Sequence, residues 1–354
     1  MIIQSLYQTF NRYRTLQTDK ISSLPIVILM PHSSCNCRCS MCDIWKGNHN
    51  LKQLNEKDVE GLMSALKKFG TKQVLMSGGE ALLHPNFFAL CSMIRYAGMH
   101  ITLLSTGLTI KKHAENILTH VNEIIVSLDG DEVLHDSIRN IPGAYRKMQE
   151  GIEALRSYRS AFPVSARCVI HKMNFRNWRS IVETAKRSGL DSISFLSADI
   201  SSHAFNREVL WSEPRQDEIV ISKEELPELL DITEELIYEC ADDFRNRFIL
   251  ESPDKIRNIY YYYAAQHGLN DFPYKKCNAP WVSTVIEPDG AVRPCFFHDT
   301  IGNIHNNSLE EILNGETGIS FRKNLDMDKN DTCKKCVCYL DLHPKANPVK
   351  VVSV

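Results

Sequence analysis

The chain has 354 residues, 43% of them hydrophobic and 24% charged, with a formal net charge of -2. A chain of this length buries roughly three quarters of its unfolded surface, which excludes a need for disulfides in folding. The nearly balanced charge is not that of a protein that binds nucleic acid or a membrane surface, and no stretch reaches the roughly 20 apolar residues of a membrane span.

The N-terminal residues carry polar and basic side chains throughout and lack the apolar core of a signal peptide. We therefore expect a cytoplasmic protein. Its twelve cysteines are poor candidates for disulfides, because the cytoplasm keeps thiols reduced. Metal ligation is the better interpretation of those that cluster. Cys91, Cys168 and Cys240 lie singly in helical or strand patterns and are expected to be buried structural residues.

Residues 1–24 are predicted to form a helical extension, after which six apolar runs alternate with helical patterns up to about residue 200. The predicted strands are residues 25–32, 72–79, 100–107, 123–130, 164–172 and 192–199. Their nearly continuous apolar character is typical of parallel strands that are covered on both faces. Several of the helical patterns end in a glycine. Six such units predict an α/β fold, a partial (β/α)6 TIM-type barrel with its active site at the strand ends.

The composition changes after residue 200. Residues 201–272 are predicted to be a helical linker near the substrate, and the aromatic run from Tyr260 to Tyr263 should pack on the barrel. Residues 273–354 contain a second group of cysteines and are predicted to form a small C-terminal domain. The predicted domains are therefore 1–24, 25–200, 201–272 and 273–354.

Four cysteines are crowded into the stretch SSCNCRCSMCDIW, directly after the first strand. Cys35, Cys39 and Cys42 have the spacing C-x3-C-x2-C, with Cys37 as an additional thiol. A structural zinc site usually takes four ligands in two separated pairs, and the ferredoxin spacing C-x2-C-x2-C-x3-C does not fit. Three thiolates on one loop favour a cube-shaped iron–sulfur cluster with one open iron over the alternative, zinc.

With this motif and others that follow in order, the sequence resembles the radical S-adenosylmethionine (SAM) superfamily. The resemblance implies that Cys35, Cys39 and Cys42 hold a 4Fe-4S cluster whose fourth iron is chelated by SAM. It also implies that Cys37 is a spare thiol. Met41 occupies a position where the family usually has an aromatic residue near the adenine, and its polarizable thioether suits the same ring face.

The end of the second strand matches the GGE motif of this family at Gly78, Gly79 and Glu80. The resemblance implies that the glycines permit a close backbone approach and that the glutamate accepts hydrogen bonds from the SAM ammonium. Ser105 and Thr106 follow the third strand, where relatives place groups near the ribose, but the usual asparagine is missing.

The stretch SLDGDEVLHDSIR after the fourth strand resembles the same region of SPASM-type radical SAM enzymes. The resemblance implies that Ser127 and Arg139 contact SAM, the arginine through the SAM carboxylate, which a guanidinium pairs with well. The alternative for Arg139 is a surface arginine. Asp129 is equally well explained as a turn former ahead of Gly130.

The second cysteine group begins with Cys277 and Cys295, which flank a predicted hairpin with the turn EPDG. Two ligands on a hairpin and two on a C-x2-C knuckle also suit zinc. The spacing C-x12-G-x4-C followed by C-x2-C, however, resembles the auxiliary-cluster domain called SPASM, or its shortened form, twitch. A full SPASM domain uses seven cysteines and this tail has five. The resemblance therefore implies one auxiliary 4Fe-4S cluster with the ligands Cys277, Cys295, Cys333 and Cys336, and with Cys338 as an alternative ligand.

The resemblance implies a radical SAM oxidoreductase. SAM would be cleaved to methionine and a 5'-deoxyadenosyl radical that abstracts a hydrogen atom from the substrate, and the auxiliary cluster would accept an electron. The net result is a two-electron oxidation. A reducing partner such as flavodoxin or ferredoxin would supply the first electron, and no nucleic-acid or membrane partner is expected.

The substrate is the least determined part of this prediction. Relatives include dehydrogenases of sugar-like or cyclitol molecules and maturases of ribosomal peptides, which commonly carry a leader-binding domain. Only about 24 residues precede the first strand, which favours a small molecule over a peptide. A radical epimerase with Cys37 or Cys338 as hydrogen donor and a non-catalytic electron-transfer protein are further alternatives.

The polar segment after the sixth strand is predicted to lie beside the barrel mouth. His203 and Arg207 in this segment are candidates for substrate contact, His203 as a base that removes a hydroxyl proton. An exposed surface loop is the alternative.

Overall fold

The computed structural model describes residues 2–205, 207 and 209–351. Its strands are β1 (Ile26–Leu29), β2 (Gln73–Met76), β3 (His100–Ser105), β4 (Glu123–Ser127), β5 (Val164–Ile170), β6 (Ile193–Ser197), β7 (Ser283–Ile286), β8 (Ala291–Arg293) and β9 (Gly302–Asn303). Each of the six strands predicted from the sequence is present, as β1 to β6.

The α-helices are α1 (Ile2–Thr18), α2 (Glu56–Lys68), α3 (Phe87–Tyr96), α4 (Ile110–His120), α5 (Glu132–Arg139), α6 (Ala144–Tyr158), α7 (Trp178–Arg187), α8 (Glu213–Asp217), α9 (Leu226–Glu239), α10 (Ala241–Arg245), α11 (Pro253–Gln266), α12 (Ala279–Val282), α13 (Leu309–Asn314), α14 (Glu316–Asn324), α15 (Asp331–Lys335) and α16 (Pro348–Val351). No described helix is long and apolar enough to cross a membrane.

All nine strands belong to one sheet with the order β6-β5-β4-β3-β2-β1-β7-β8-β9. The pairs from β6 through β1 to β7 are parallel, and the sheet does not close. This is the predicted partial barrel of the TIM type. Side chains on β2 are buried throughout, whereas those on β5 alternate between buried and half-buried, because one face of β5 borders a cavity.

The C-terminal hairpin extends the barrel sheet. Strand β7 pairs in parallel with β1, so that Ile26 lies opposite Ser283 and Leu29 opposite Ile286. The turn EPDG then leads into β8, which pairs antiparallel with β7. The hairpin was predicted, but its union with the barrel was not. The division of the chain at residues 24, 200 and 272 stays a prediction.

Helices pack on the outer face of the parallel strands and bury their apolar sides there. Trp178 of α7 is fully buried and contacts Phe195 of β6 edge to face, with 5.5 Å between the ring centroids. The predicted packing of the tyrosine run is confirmed, because Tyr262 and Tyr263 of α11 are buried. The Tyr263 hydroxyl donates to the Ile170 carbonyl at 2.5 Å and accepts from the Ala198 N–H at 3.1 Å. These bonds dock α11 on the ends of β5 and β6.

We expect Tyr263→Phe to lower the free energy of unfolding by about 1–3 kcal/mol, because a buried carbonyl and a buried N–H both lose their partner. Tyr261→Phe is the matched control. It lies on the same helix and is 44% exposed, so it should change stability by less than about 0.5 kcal/mol. Chemical denaturation monitored by circular dichroism measures both, and equal stabilities of the two variants would contradict the docking role of Tyr263.

Candidate functional site

A cavity of about 1050 Å³ lies at the carboxyl ends of the parallel strands. Its wall inside the barrel is mainly aliphatic and is lined by Ile26, Ile28, Leu75, Leu104, Ile125, Val169 and Leu196. Loop residues 270–275 and residues 331–340 of the C-terminal part line the opposite side. Ligands bind at this end of parallel barrels, because there the loops converge.

Cysteines from both ends of the chain line this one cavity: Cys35, Cys39, Cys42, Cys277, Cys295, Cys333, Cys336 and Cys338. All of them are free thiols. Cys37 is buried and is not among the described residues that line the cavity, and its role as a spare thiol stays a prediction. Cys91, Cys168 and Cys240 are buried as predicted.

The end of β2 holds the first cysteine loop through a backbone contact. A Cβ atom on Gly79 would lie 2.2 Å from the Ser34 carbonyl oxygen, so no other residue fits here without a shift of the loop. Gly78 has a φ of +109°, in the region that favours glycine. The N–H of Glu80 donates to the Ser34 carbonyl at 2.9 Å. The glycines therefore position the cysteine loop as well as one wall of the cavity.

The end of α5 holds the other side of the same loop. The N–H of Arg38 donates to the Arg139 carbonyl, and the N–H of Ser40 donates to the Ile138 carbonyl, each at 3.0 Å. These carbonyls belong to the last turn of the helix, where carbonyl groups have no hydrogen-bond donor within the helix itself. The loop is thus fixed between two elements that are distant in sequence.

A buried ion pair between Arg139 and Asp129 lies next to the loop. The Arg139 guanidinium also approaches the Cys39 sulfur, with 3.4 Å between Nη1 and Sγ. A hydrogen bond with the Cys37 thiol, together with this guanidinium, lowers the pKa of Cys39 to about 6 although burial acts against it. Burial alone would lower the pKa of Arg139, but the Asp129 carboxylate outweighs it and raises that pKa. Both effects favour a thiolate at Cys39, the form that binds metal.

Asp129 has a larger role than the turn that the sequence suggested. Its Oδ1 accepts from the Val169 N–H at 3.3 Å, and its carbonyl accepts from Asn174 at 3.2 Å. The side chain is completely buried. Since Asp129 holds the guanidinium of Arg139 in place, Arg139 is not the surface arginine that we weighed as its alternative.

Glu80 is held by the turn after β3, and its predicted contact with SAM stays a prediction. Its carboxylate is completely buried and accepts from the Ser105 hydroxyl at 3.0 Å, the Thr106 N–H at 2.7 Å and the Thr106 hydroxyl at 2.6 Å. Glu80 is not among the described residues that line the cavity. Burial raises the pKa of Glu80, while the bonds from Thr106 act against it. In this geometry the carboxylate positions the turn at residues 105 and 106, which lines the cavity.

The other residues predicted to bind the cofactor all line the cavity: Met41, Gly78, Gly79, Ser105, Thr106, Ser127 and Arg139. Their binding roles stay predictions. The Thr106 hydroxyl oxygen also lies 3.0 Å from the Asn36 side-chain amide, which connects the turn after β3 to the cysteine loop.

His203 and Arg207 lie in a segment whose residues Asp199 and Phe205 line the cavity. His203 is exposed, and its ring nitrogen Nδ1 lies 3.0 Å from the Arg207 carbonyl. The Arg207 side chain is buried in an ion pair with Asp199, with 2.5 Å between Nη1 and Oδ2. Neither residue is among the described residues of the cavity wall. Substrate contact by either residue stays a prediction, and the ion pair shows a structural role of Arg207 within its loop.

The second group of cysteines is wrapped by the segment that follows β8. Burial raises the pKa of Cys295 to about 11, and the backbone N–H groups of Phe297 and His298 act against it. His298 is buried, and its Nε2 lies 3.3 Å from the Cys333 sulfur. The Cys336 thiol donates to the Cys338 carbonyl at 3.2 Å. Cys338 is exposed, which leaves Cys336 as the more enclosed of the two alternative ligands.

No three His, Cys, Asp or Glu side chains in the described part of the chain are close enough to hold a single metal ion. A tetrahedral zinc site would need thiolates about 2.3 Å from one ion. A cube-shaped cluster, ligated at its corners, holds its thiolates farther apart. Neither cysteine group is gathered around a single-ion position in the described part of the chain.

Several residues of the site were missed in the sequence. Asn36 lies inside the cysteine loop, and Arg167 brings a guanidinium from the middle of β5 to the cavity wall, beside Ser127 on β4. His298 follows Cys295 by three residues. A polar residue within three positions of a ligand cysteine was a visible signal for Asn36 and His298. The inward direction of Arg167 could only come from the register of β5.

Comparison with protein families gives two matches. Residues 29–188 match the family model of the Radical SAM superfamily. Residues 277–337 match the model of an iron-sulfur cluster-binding domain named SPASM. The first match includes Cys35, Cys39 and Cys42, and the second begins at Cys277.

The chain is also similar over most of its length to individual proteins. It is 24% identical to Fe-coproporphyrin III synthase of Methanosarcina barkeri, over 88% of this chain and 80% of the synthase. It is 24% identical to the sporulation killing factor maturation protein SkfB of Bacillus subtilis, over 82% of this chain but only 65% of SkfB. Among solved structures, SuiB of Streptococcus suis bound to precursor peptide SuiA has a TM-score of 0.62 at 14% identity, over 92% of this chain and 72% of SuiB. This structural likeness shows the fold.

We expect Glu80→Ala to lower both the free energy of unfolding, by about 3 kcal/mol, and the affinity for SAM, because buried donors of Ser105 and Thr106 lose their acceptor. The iron content should stay the same, since Glu80 holds no metal. Glu60→Ala, at an exposed position of α2, is the control and should change neither. Denaturation and equilibrium dialysis with SAM measure the two effects. Lower affinity with unchanged stability would indicate that Glu80 acts by direct contact with SAM and not by holding the turn.

Proposed function

Because the chain carries a radical SAM domain followed by a SPASM iron–sulfur cluster-binding domain, we propose that it is a radical SAM oxidoreductase. It would remove two electrons from a substrate held between its two groups of cysteines. The observation that carries this proposal is that both groups line one continuous cavity of about 1050 Å³. A substrate in that cavity would be within reach of both cofactors.

The first cofactor site would consist of a 4Fe-4S cluster on Cys35, Cys39 and Cys42, with SAM beside it. The residues fit this group, because three thiols lie on a loop that is held on both sides and all three line the cavity. When bound, the cluster and SAM would supply the 5'-deoxyadenosyl radical. Ser105, Thr106, Ser127, Met41 and Arg139 would bind and orient SAM from the surrounding wall.

The aliphatic wall would exclude water from the radical. It is formed by side chains of β1 to β6. The charged groups on the barrel side of the cavity are Arg139, Arg167 and Asp199, and Asp199 is paired with Arg207. A reactive carbon radical is protected in such a site, because competing reactions with solvent are prevented. The strands would thus both orient the substrate and protect the radical from solvent.

The second cofactor site would hold a 4Fe-4S cluster on Cys277, Cys295, Cys333 and Cys336. Four thiols saturate such a cluster, so that it has no open iron for substrate and its role would be to accept an electron. The antiparallel hairpin and the C-terminal residues bring these thiols to one side of the cavity. An external one-electron donor, such as flavodoxin or ferredoxin, would be needed for the first cluster.

We propose a peptide side chain as the substrate, in place of the sugar-like or cyclitol molecule that the sequence favoured. A polyhydroxylated substrate would need many polar partners, whereas the wall between the two cysteine groups is mainly aliphatic and aromatic. The similarity to the maturation protein SkfB over 82% of this chain also supports a peptide. The cavity opens beside Tyr274, which is 75% exposed, so that a side chain could enter while its backbone stayed outside.

A tetrapyrrole is the second candidate substrate. The similarity to Fe-coproporphyrin III synthase spans 88% of this chain and 80% of that protein, and an apolar cavity of this volume suits a large flat ring. Among the described residues, the Arg167 guanidinium makes one hydrogen bond, from its Nε to the Ser194 hydroxyl at 3.3 Å. Its other nitrogens would pair with a carboxylate side chain of such a ring.

The proposal predicts one 5'-deoxyadenosine for each oxidised molecule and a product lighter by two hydrogen atoms. Cys277→Ala with Cys295→Ala should leave SAM cleavage largely intact and reduce product formation to background, because the two steps use different clusters. Cys91→Ala, a buried cysteine outside the cavity, is the control for thiol loss. Chromatography of 5'-deoxyadenosine and mass spectrometry of the product measure both, with peptides encoded by neighbouring genes and tetrapyrrole precursors of Fe-coproporphyrin III as test substrates.

The redox-neutral alternative, a radical epimerase, gives a different result in the same assay. Its product would keep its mass in ordinary water and gain one deuterium in heavy water. That outcome would contradict the proposed oxidation. Product formation that survives the loss of Cys277 and Cys295 would contradict the electron-acceptor role of the second cluster.

A further inference from the structure

His298 lies against one of the proposed ligands of the second cluster. Its Nε2 is 3.3 Å from the Cys333 sulfur, and the side chain is 9% exposed. The ring is held edge to face by Phe321, with 4.9 Å between the centroids. The His298 carbonyl accepts a hydrogen bond from Arg293 at 2.9 Å. The backbone and the ring are both fixed, so this contact is part of the fold.

The chemistry of His298 and Cys333 determines which of the two atoms donates the hydrogen bond. A thiolate that ligates iron has no proton and can only accept a hydrogen bond. An imidazole can carry its proton on either nitrogen, and the hydrogen bond selects the nitrogen that is protonated. With a thiolate at Cys333, the proton must therefore be on Nε2 of His298, which donates to the sulfur.

A hydrogen bond to a ligand sulfur affects the redox balance of a cluster. Reduction adds one negative charge to a site that already carries four thiolates, and part of that charge resides on the sulfurs. A donor at a sulfur stabilises the reduced form more than the oxidised form and raises the reduction potential. A cluster that takes an electron from a substrate radical benefits from such a shift.

We propose that His298 donates a hydrogen bond from Nε2 to the Cys333 thiolate and thereby makes the second cluster easier to reduce. The inference rests on the proposed function, in which this cluster accepts one electron from the substrate. His298 is then a positioning residue that acts through Cys333. Its separation from Cys295 by two phenylalanines places it on the segment that wraps the cluster.

The test is a redox titration of the second cluster alone, followed by electron paramagnetic resonance. The parent is the full chain with Cys35, Cys39 and Cys42 changed to alanine and reconstituted with iron and sulfide, without SAM or substrate. The variants in this background are His298→Phe, His298→Gln and, as a matched control on the same C-terminal part, His305→Phe. His305 is half exposed and pairs with Asp58.

We expect His298→Phe to make the reduction equilibrium about tenfold less favourable, a shift of the midpoint potential by about 59 mV to more negative values. His298→Gln should lie near the parent, because its amide nitrogen can donate from a similar position, and His305→Phe should equal the parent. The iron content should be the same in all four proteins.

A full iron content with an unchanged midpoint in His298→Phe would overturn the inference and leave the proposed function standing. Loss of iron from both His298 variants would overturn it as well, in favour of His298 as a ligand. Absence of iron from the parent would overturn this inference together with the proposed second cluster. Because the titration contains no SAM and no substrate, it does not depend on turnover.

Discussion

The position of the first cysteine loop depends on one close backbone contact. The Ser34 carbonyl occupies the space that a side chain at residue 79 would need, and it accepts the N–H of Glu80. The opposite side of the loop is bound by the last carbonyls of α5. The guanidinium of Arg139 and the turn at Thr106 both contact the loop that is held in this way.

The parallel pairing of β7 with β1 gives the site its second half. The tail cysteines are carried by a hairpin that continues the barrel sheet, so they line the same cavity as the cysteine loop. A radical enzyme that passes an electron from its substrate to a second cluster requires this proximity. One sheet therefore supports the two proposed cofactors, with the aliphatic barrel wall on one side of the substrate.

The sequence was sufficient to predict the local elements. Six strands, the tyrosine helix and the hairpin follow from apolar runs and turn residues, which act over short distances. The pairing of β1 with β7 was not predictable in this way, because edge pairing between distant segments leaves no local pattern. The role of Glu80 was predicted from the motif alone. Its partners Ser105 and Thr106 lie at the end of another strand, so the sequence pattern around Glu80 does not show them. A catalytic role of His203 was predicted from the chemistry of imidazole, but the sequence does not show that its loop leaves the residue exposed to solvent.

Iron analysis of the anaerobically reconstituted protein tests the central claim most directly. The account predicts about eight irons per chain, from two 4Fe-4S clusters, and about four after Cys35, Cys39 and Cys42 are changed together to alanine. The same variant should lose all cleavage of SAM. Zinc in the tail of that variant, with no second iron cluster, would contradict the account.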